Sequence, residues 1–212
     1  MLSADQVPVK NPHSRMQWPV WVVLIAGSTG SAPHGQSLLG LKSRAEYIAP
    51  TAGVIDSQSV KTTEAGGPRG FDAGKKIKGR KRHLLTDTAG FLIAGIVHEA
   101  STQDRDGAPA LFKLVRSAFP WLRHVFADGG YAGQKLKKAL DSIGRWTVEI
   151  VKRSDVVKGF KPLPRRWVVE RTIAWINRNR RLAKDFEATI ESAETWLMIA
   201  SVKLLSRRLA RA

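Results

Sequence analysis

The sequence predicts a mixed α/β fold in the order β-β-β-α-β-α-β-α with a helical C-terminus, and three observations predict it. Two short apolar runs, Val54-Ile55 and Val125-Phe126-Ala127, each end in an aspartate and read as buried strands. KGRKRHLLTDTAGFLIAGIVHEA reads as a hairpin turning at Thr88-Ala89-Gly90. Beyond it, segments of helical period alternate with short strands, which suits an antiparallel meander joined to parallel strands in one sheet.

Taken in order, residues 1–50 differ from the rest. MLSADQVPVKNPHSRMQW has no period and GSTGSAPHGQSLLG is a run of turn formers, so only a short element at Trp18–Ile25 is expected there. The catalytic-type signals occupy residues 51–212. VIDSQSV is a strand, followed by a polar loop over Thr62–Gly74 that contains Gly66, Gly67, Gly70 and Gly74. After the hairpin, Ser101–Asp106 is rich in capping residues, with Asp104 and Asp106 expected as caps. GAPALFKLVRSAF then repeats Ala110, Leu111, Leu114 and Val115 at helical spacing. HVFAD is a strand broken by Gly129-Gly130, GQKLKKALDSIG a helix ended by Gly144, and WTVEIVKR a strand. Gly159–Pro164 is a turn, and the last 48 residues read as two helices parted near Ala188-Thr189.

Composition narrows the function. With 43% hydrophobic residues and seven tryptophans, the chain can bury a core. Lys and Arg number 35 against 18 acidic residues, for a net charge of +17. Such a charge opposes compaction unless a polyanion offsets it, so nucleic acid is the natural partner. The absence of cysteine excludes disulfides, zinc-thiolate sites and thiol catalysis. The longest apolar run, Trp18–Gly27, is far short of the ~20 residues that span a bilayer. Asp5 and the long segment before that run argue against a secretory leader, so a cytoplasmic protein is expected.

Three carboxylates stand out: Asp56, Asp128, and Glu170 on a basic amphipathic segment. Delivered from two strands and a helix, they can hold a pair of Mg²⁺ ions, which favour oxygen ligands. Two such ions about 3.5–4 Å apart activate a nucleophile and stabilise the leaving oxygen of a phosphodiester. Plainer roles compete: Asp128 could cap the turn at Gly129-Gly130, and Glu170 could pair with Arg166 at i−4. Helical geometry puts Val168, Trp175, Leu182 and Phe186 on a buried side, with Arg166, Asn177, Arg181 and Lys184 near Glu170. The run Lys75, Lys76, Lys78, Arg80, Lys81, Arg82 could be a solvated strand edge or a contact to DNA backbone, and the second is favoured. His83 reads as a phosphate-side or core residue, and His98-Glu99 lacks the second histidine of a zinc helix. Trp146, Trp167 and Trp175 read as core.

The segments IDSQSVKTTEAGGPRGFDAGKKIKGRKRH, HEASTQDRDGAPALF, FADGGYAG and RRWVVERTIAWINRNRRLAKDFE resemble, in that order, the DDE transposases of bacterial insertion sequences. The resemblance covers about residues 52–205. It implies a ribonuclease-H-like catalytic domain in which Asp56, Asp128 and Glu170 hold two Mg²⁺ ions, with Mn²⁺ as a substitute. It implies double-stranded DNA, element ends and target, as substrate, gripped at the ends by Arg166. A homodimer on DNA, close to the nucleoid, is among the assemblies it allows. Two positions depart from the motif: Leu163 stands where a tyrosine is usual, and Asn177 where a lysine is usual. Arg178, Arg181 and Lys184 are expected to take over the lysine's contact. Because residues 1–50 do not look like a helical end-binding region, a truncated, weakly active copy is also expected. The alternatives are a non-catalytic basic DNA-binding remnant and a structure-selective nuclease of the same fold.

Overall fold

The computed structural model describes residues 50–151 and 165–210; the Trp18–Ile25 element, the Gly159–Pro164 turn and Leu163 lie outside them. Its centre is β1 (Ala52–Lys61), an antiparallel neighbour of β3 (Ile77–Asp87), which pairs in turn with β4 (Leu92–Glu99). On its other side β1 runs parallel to β5 (His124–Ala127), and β5 parallel to β6 (Thr147–Ile150). The meander joined to parallel strands is therefore the observed arrangement. One strand was not foreseen. β2 (Gly70–Asp72) lies inside the expected polar loop and pairs with the start of β3. Three residues carry no detectable alternation, so only the partner strand reveals it.

Register assigns the two faces. Asp56 stands opposite Leu84, and Ser57 opposite His83. Neighbours along a strand point to opposite faces, so Val54, Asp56 and Leu84 share one side while Ser57 and His83 share the other. α1 (Asp104–Ala118) packs on β3 and β4 and against α2 (Gln134–Asp141). Gly107 of α1 sits tightly against the side of the sheet that carries His83: a methyl group there would lie 2.6 Å from Nε2 of His98 and 2.9 Å from Nε2 of His83. Across the sheet, α3 (Arg166–Asn177), α4 (Arg180–Ala183) and α5 (Ile190–Leu209) bury Val169, Ile176, Leu182, Leu197 and Ala200 with Val54, Leu84 and Phe126.

The C-terminal helices depart from expectation in two ways. The chain breaks near Ala188-Thr189, with the Thr189 hydroxyl accepting from the amide of Ser192, but it also breaks after Asn177. Leu182 and Phe186 therefore do not continue the α3 face; Leu182 is buried from α4 and Phe186 is exposed. Helix α1 likewise begins three residues earlier than its apolar period, so Asp104 and Asp106 lie in its first turn rather than at its cap.

Half of the basic run is structural. Arg80, Lys81 and Arg82 are buried, which withdraws them from the expected DNA contacts. Arg80 is fully covered and donates to Asp185 Oδ1 at 3.1 Å, to the carbonyls of Thr189 and Ala188, and through Nε to that of Pro68. Arg82 donates to the carbonyl of Leu182 at 2.8 Å, and burial pulls its guanidinium down to about 10 despite the nearby Asp185. Lys81 is bound by Asp104 and Asp72. Long cationic stems can cross a core only where every charged head finds carbonyls or carboxylates.

Removing Asp185 leaves two buried guanidiniums without their counter-charge. Asp185→Ala is expected to cost about 3–5 kcal/mol of folding stability. Lys78→Ala, exposed on the same strand, should stay within about 0.5 kcal/mol. Urea denaturation of both variants checks the contrast.

Candidate active site

The parallel pairing of β1 and β5 runs Ala52 to His124, Gly53 to Val125 and Val54 to Phe126. Two residues further along that register, Asp56 is level with Asp128. Asp128 directly follows the last residue of β5, but Asp56, expected at a strand end, lies at mid-strand: β1 runs on to Lys61 because its pairing with β3 continues past the point where β5 stops. The backbone holds both aspartates: Ser57 N donates to Asp56 Oδ1 at 2.7 Å, and Gly130 N to Asp128 Oδ1 at 2.8 Å. Asp128 thus does cap the short 3₁₀ turn Gly129–Tyr131, as its sequence context suggested.

α3 crosses the same sheet face and brings the third carboxylate. Val168, Val169, Thr172 and Ile176 bury its inner side, which leaves Glu170 exposed (side chain 47%) one turn beyond Arg166. Nη2 of Arg166 lies 3.4 Å from Glu170 Oε1 and 3.7 Å from Asp128 Oδ2. The guanidinium also acts on Asp56 electrostatically. Asp128 and Glu170 therefore meet on one arginine, with Asp56 level with Asp128 in the strand register. The i−4 ion pair expected for Glu170 is present.

Among the described residues, no group of three His, Cys, Asp or Glu side chains is gathered closely enough to hold a metal ion. The donor set is all carboxylate, which suits Mg²⁺ or Mn²⁺.

α3 is fixed by the hairpin tip. Gly90 sits at φ 89° in the turn after Asp87, whose carboxylate accepts from the amides of Ala89 and Phe91. Thr172 Oγ1 donates to the Gly90 carbonyl at 2.8 Å, and Arg171 to that of Ala89 at 2.9 Å. Arg171 stacks on Trp167 and Trp175, with its carbon 4.4 and 4.7 Å from the ring centroids. Trp167, expected in the core, is instead 42% exposed beside the site. Asn177, where the motif expects a lysine, is half-buried at the far end of α3.

On the opposite face of β1 lies a second polar layer that sequence reasoning did not assemble. Ser57 Oγ donates to Asp104 Oδ1 at 2.8 Å, and Lys81 Nζ donates to the same oxygen at 2.9 Å. Asp72 accepts from Ser59 Oγ at 2.6 Å; burial alone would raise its pKa, but Ser59, the Lys75 amide and Lys81 hold it at about 2. Tyr131 is buried with its hydroxyl 3.4 Å from His83 Nδ1. Burial and the charges of Asp104, Asp56 and Asp128 push that phenol well above its usual range. His83 is a core residue, and burial with the neighbouring His98 takes it down to about 3, so it is neutral at physiological pH. The available signal was strand alternation, which puts Ser57 and Ser59 on the side away from Asp56.

Of the other expected DNA contacts, Lys75, Lys76, Lys78, Arg178 and Lys184 are exposed. Arg181 is exposed too, but it is partly engaged by Glu187 at 3.1 Å and by the Trp196 ring.

With this geometry in view, the family profile of the transposase DDE domain matches residues 48–205. The chain belongs to the transposase DDE domain family. A transposase of insertion sequence element IS402 from Burkholderia cepacia is 30% identical over 141 residues, covering 63% of this chain. The DDE domain chain spans 66% of that relative's length. Among solved structures, the Mos1 strand transfer complex overlaps 98% of this chain and 64% of its own, with TM-score 0.40 and 11% identity. The Mos1 mariner paired end complex with Mn overlaps 98% and 65%, with TM-score 0.30 and 11% identity. Overlaps this loose add nothing to the fold as described.

Desolvation raises Asp56 from its ordinary 3.8 to about 6, with Asp128 adding to the rise and Ser57, Arg166 and Lys75 opposing it. The folded protein holds that proton more tightly than the unfolded chain. Its contribution is therefore complete below 3.8 and is lost as the pH rises through about 6, at a cost of up to about 3 kcal/mol. In chelator-containing buffer, Asp56→Asn should raise the melting temperature at neutral pH, and the gain should shrink between about pH 7 and pH 4. Calorimetry across that range would show it; a gain independent of pH would contradict the assignment.

Proposed function

We propose that residues 51–212 form a catalytic domain that cleaves and transfers DNA strands with two divalent cations, in the transposition of an insertion sequence. The observation that supports this reading is the pairing of Asp128 and Glu170 with Arg166 beside Asp56, which is level with Asp128 in the β1–β5 register. Family membership supports it. Mg²⁺ is the cation that fits best, with Mn²⁺ as a substitute; when bound, the ions lower the pKa of water or a 3′-hydroxyl and offset charge on the phosphate.

The chain's own groups supply the rest. Asp56 and Asp128 each present an oxygen not used by the backbone, and Glu170 closes the site from an exposed helix face. Arg166 pairs the carboxylates and offers a planar donor fork to a phosphate, a geometry lysine cannot match. Lys76, Lys78, Arg178 and Lys184 provide sequence-independent contact to the duplex of element ends and target. A homodimer on DNA fits the need to hold two ends. No helix among the described residues is long and apolar enough to cross a membrane.

Purified protein with Mg²⁺ or Mn²⁺ and DNA carrying the flanking element ends should show metal-dependent nicking, abolished by Asp56→Ala or Glu170→Gln with DNA affinity retained. Binding without cleavage under any metal would instead identify a non-catalytic DNA-binding remnant.

Affinity should fall linearly with log salt, and Lys78→Gln should reduce that slope by about 1. Fluorescence anisotropy across a salt series measures both; salt-insensitive binding would contradict the backbone-contact reading.

A further inference from the structure

The basic run Lys75–Arg82 divides three ways. Arg80, Lys81 and Arg82 are internal, and Lys76 and Lys78 are exposed. Lys75 belongs to neither group. It is exposed, yet its ammonium is held: Nζ donates to the Ser57 carbonyl at 3.0 Å and to Ser57 Oγ at 3.1 Å. Ser57 is the residue whose amide donates to Asp56, so the ammonium lies one residue from the first carboxylate.

The loop after β2 is built to place it. Asp72 Oδ1 accepts the Lys75 amide at 3.0 Å, while Asp72 Oδ2 is held by Ser59 and Lys81. Lys76 adopts φ 53°, a left-handed conformation that costs a side-chain-bearing residue energy and persists where the surroundings impose it. An ammonium has three N–H donors and Ser57 accepts two of them. The same cation bears electrostatically on Asp56 and on Asp104.

We propose that Lys75 is an active-site cation: held on Ser57 beside Asp56, its ammonium pairs with an oxygen of the scissile phosphate. The inference rests on the phosphodiester-cleaving reading above. No proton is transferred; Lys75 stays charged and its remaining N–H makes a charge-assisted hydrogen bond to phosphate oxygen as negative charge builds there. The contact is distinct in kind from that of Lys76 and Lys78. Those grip the duplex wherever it lies, whereas Lys75 has its reach set by β1 itself.

Two opposed readouts test this. In DNA-free protein, Lys75→Gln removes a positive charge from beside the carboxylates, so Mn²⁺ titrated against EPR signal should bind several-fold tighter. At saturating metal and DNA, single-turnover cleavage by the same variant should fall about tenfold or more, with DNA affinity changed less than about twofold and Lys75→Arg restoring part of the rate. A loosened loop would weaken metal binding and cleavage together. Unchanged or weaker Mn²⁺ binding in Lys75→Gln would overturn the proposal, whether or not the wild-type protein cleaves. So would a wild-type cleavage rate accompanied by a salt slope lowered by about 1, the mark of a backbone contact. Absence of cleavage by the wild-type protein would sink the functional reading and leave the Mn²⁺ comparison to decide Lys75.

Discussion

The buried pair of Arg80 and Asp185 is the constraint on which the arrangement of the C-terminal helices depends. Arg80 comes from the middle strand of the meander, and Asp185 from the link between α4 and α5. The link is stitched to the sheet by backbone as well: Asp185 N donates to the Lys61 carbonyl, and Thr63 N to the Asp185 carbonyl. A buried ion pair of this kind adds little net stability over a well-packed apolar pair. What it adds is definition, since a guanidinium with three of its four acceptors on this link admits one placement of it. α3 leads through α4 into this link, so the helix that presents Glu170 is anchored to the strand bonded along β1.

From that anchoring follows a sheet with a polar layer on each side of one strand. On the α3 side β1 shows Asp56, within the electrostatic reach of Arg166. On the α1 side it shows Ser57 and Ser59, tied to Asp104, Asp72, Lys75 and Lys81. Asp56 and the Lys81–Asp72–Asp104 group thus lie on opposite faces of one strand, with Lys75, bonded to the Ser57 carbonyl, near enough to act on Asp56. Burial of Asp56 and the charge of Asp128 oppose ionisation, while Arg166 and Lys75 favour it. The balance leaves a carboxylate that can be charged in neutral solution without being neutralised by a neighbour's hydrogen bonds.

Most of this fold was legible in the sequence because its strands are apolar, its turns are marked by glycine, and Asp87 and Asp128 mark strand ends. The hairpin, β1, β5 and the break before α5 follow from those signals. β2 was not legible, since a three-residue strand has no period and exists through its partner. The run of cations in β3 was misread for a physical reason. Charge in a sequence signals solvent or polyanion, and nothing local announces that Asp185, over a hundred residues later, will arrive to cover Arg80. Asp104 and Asp106 were read as caps because acids before a helical period usually are; the helix starts earlier, and Asp104 is taken by Ser57 and Lys81. Of the three acids, the sequence placed Asp128 after a strand and Glu170 on an unburied helix face, but it put Asp56 at a strand end, because the polar residues after it hide the continuation of β1. It could not supply Arg166 as the shared partner of Asp128 and Glu170, which depends on where α3 lies across the sheet.

The two strand aspartates divide their oxygens. In each, Oδ1 is committed to the backbone, accepting from Ser57 N in Asp56 and from Gly130 N in Asp128. In Asp128 it is the other oxygen that faces Arg166. Each carboxylate therefore commits one oxygen to the backbone, and the aim of the other is set by the peptide plane that holds the first. A side chain one methylene longer could reach the same outer position or satisfy the same amide, but not both from the same Cα. Aspartate at these two places is a matter of length as much as charge, whereas Glu170, on an open helix face with no amide to serve, has its reach determined only by the helix beneath it.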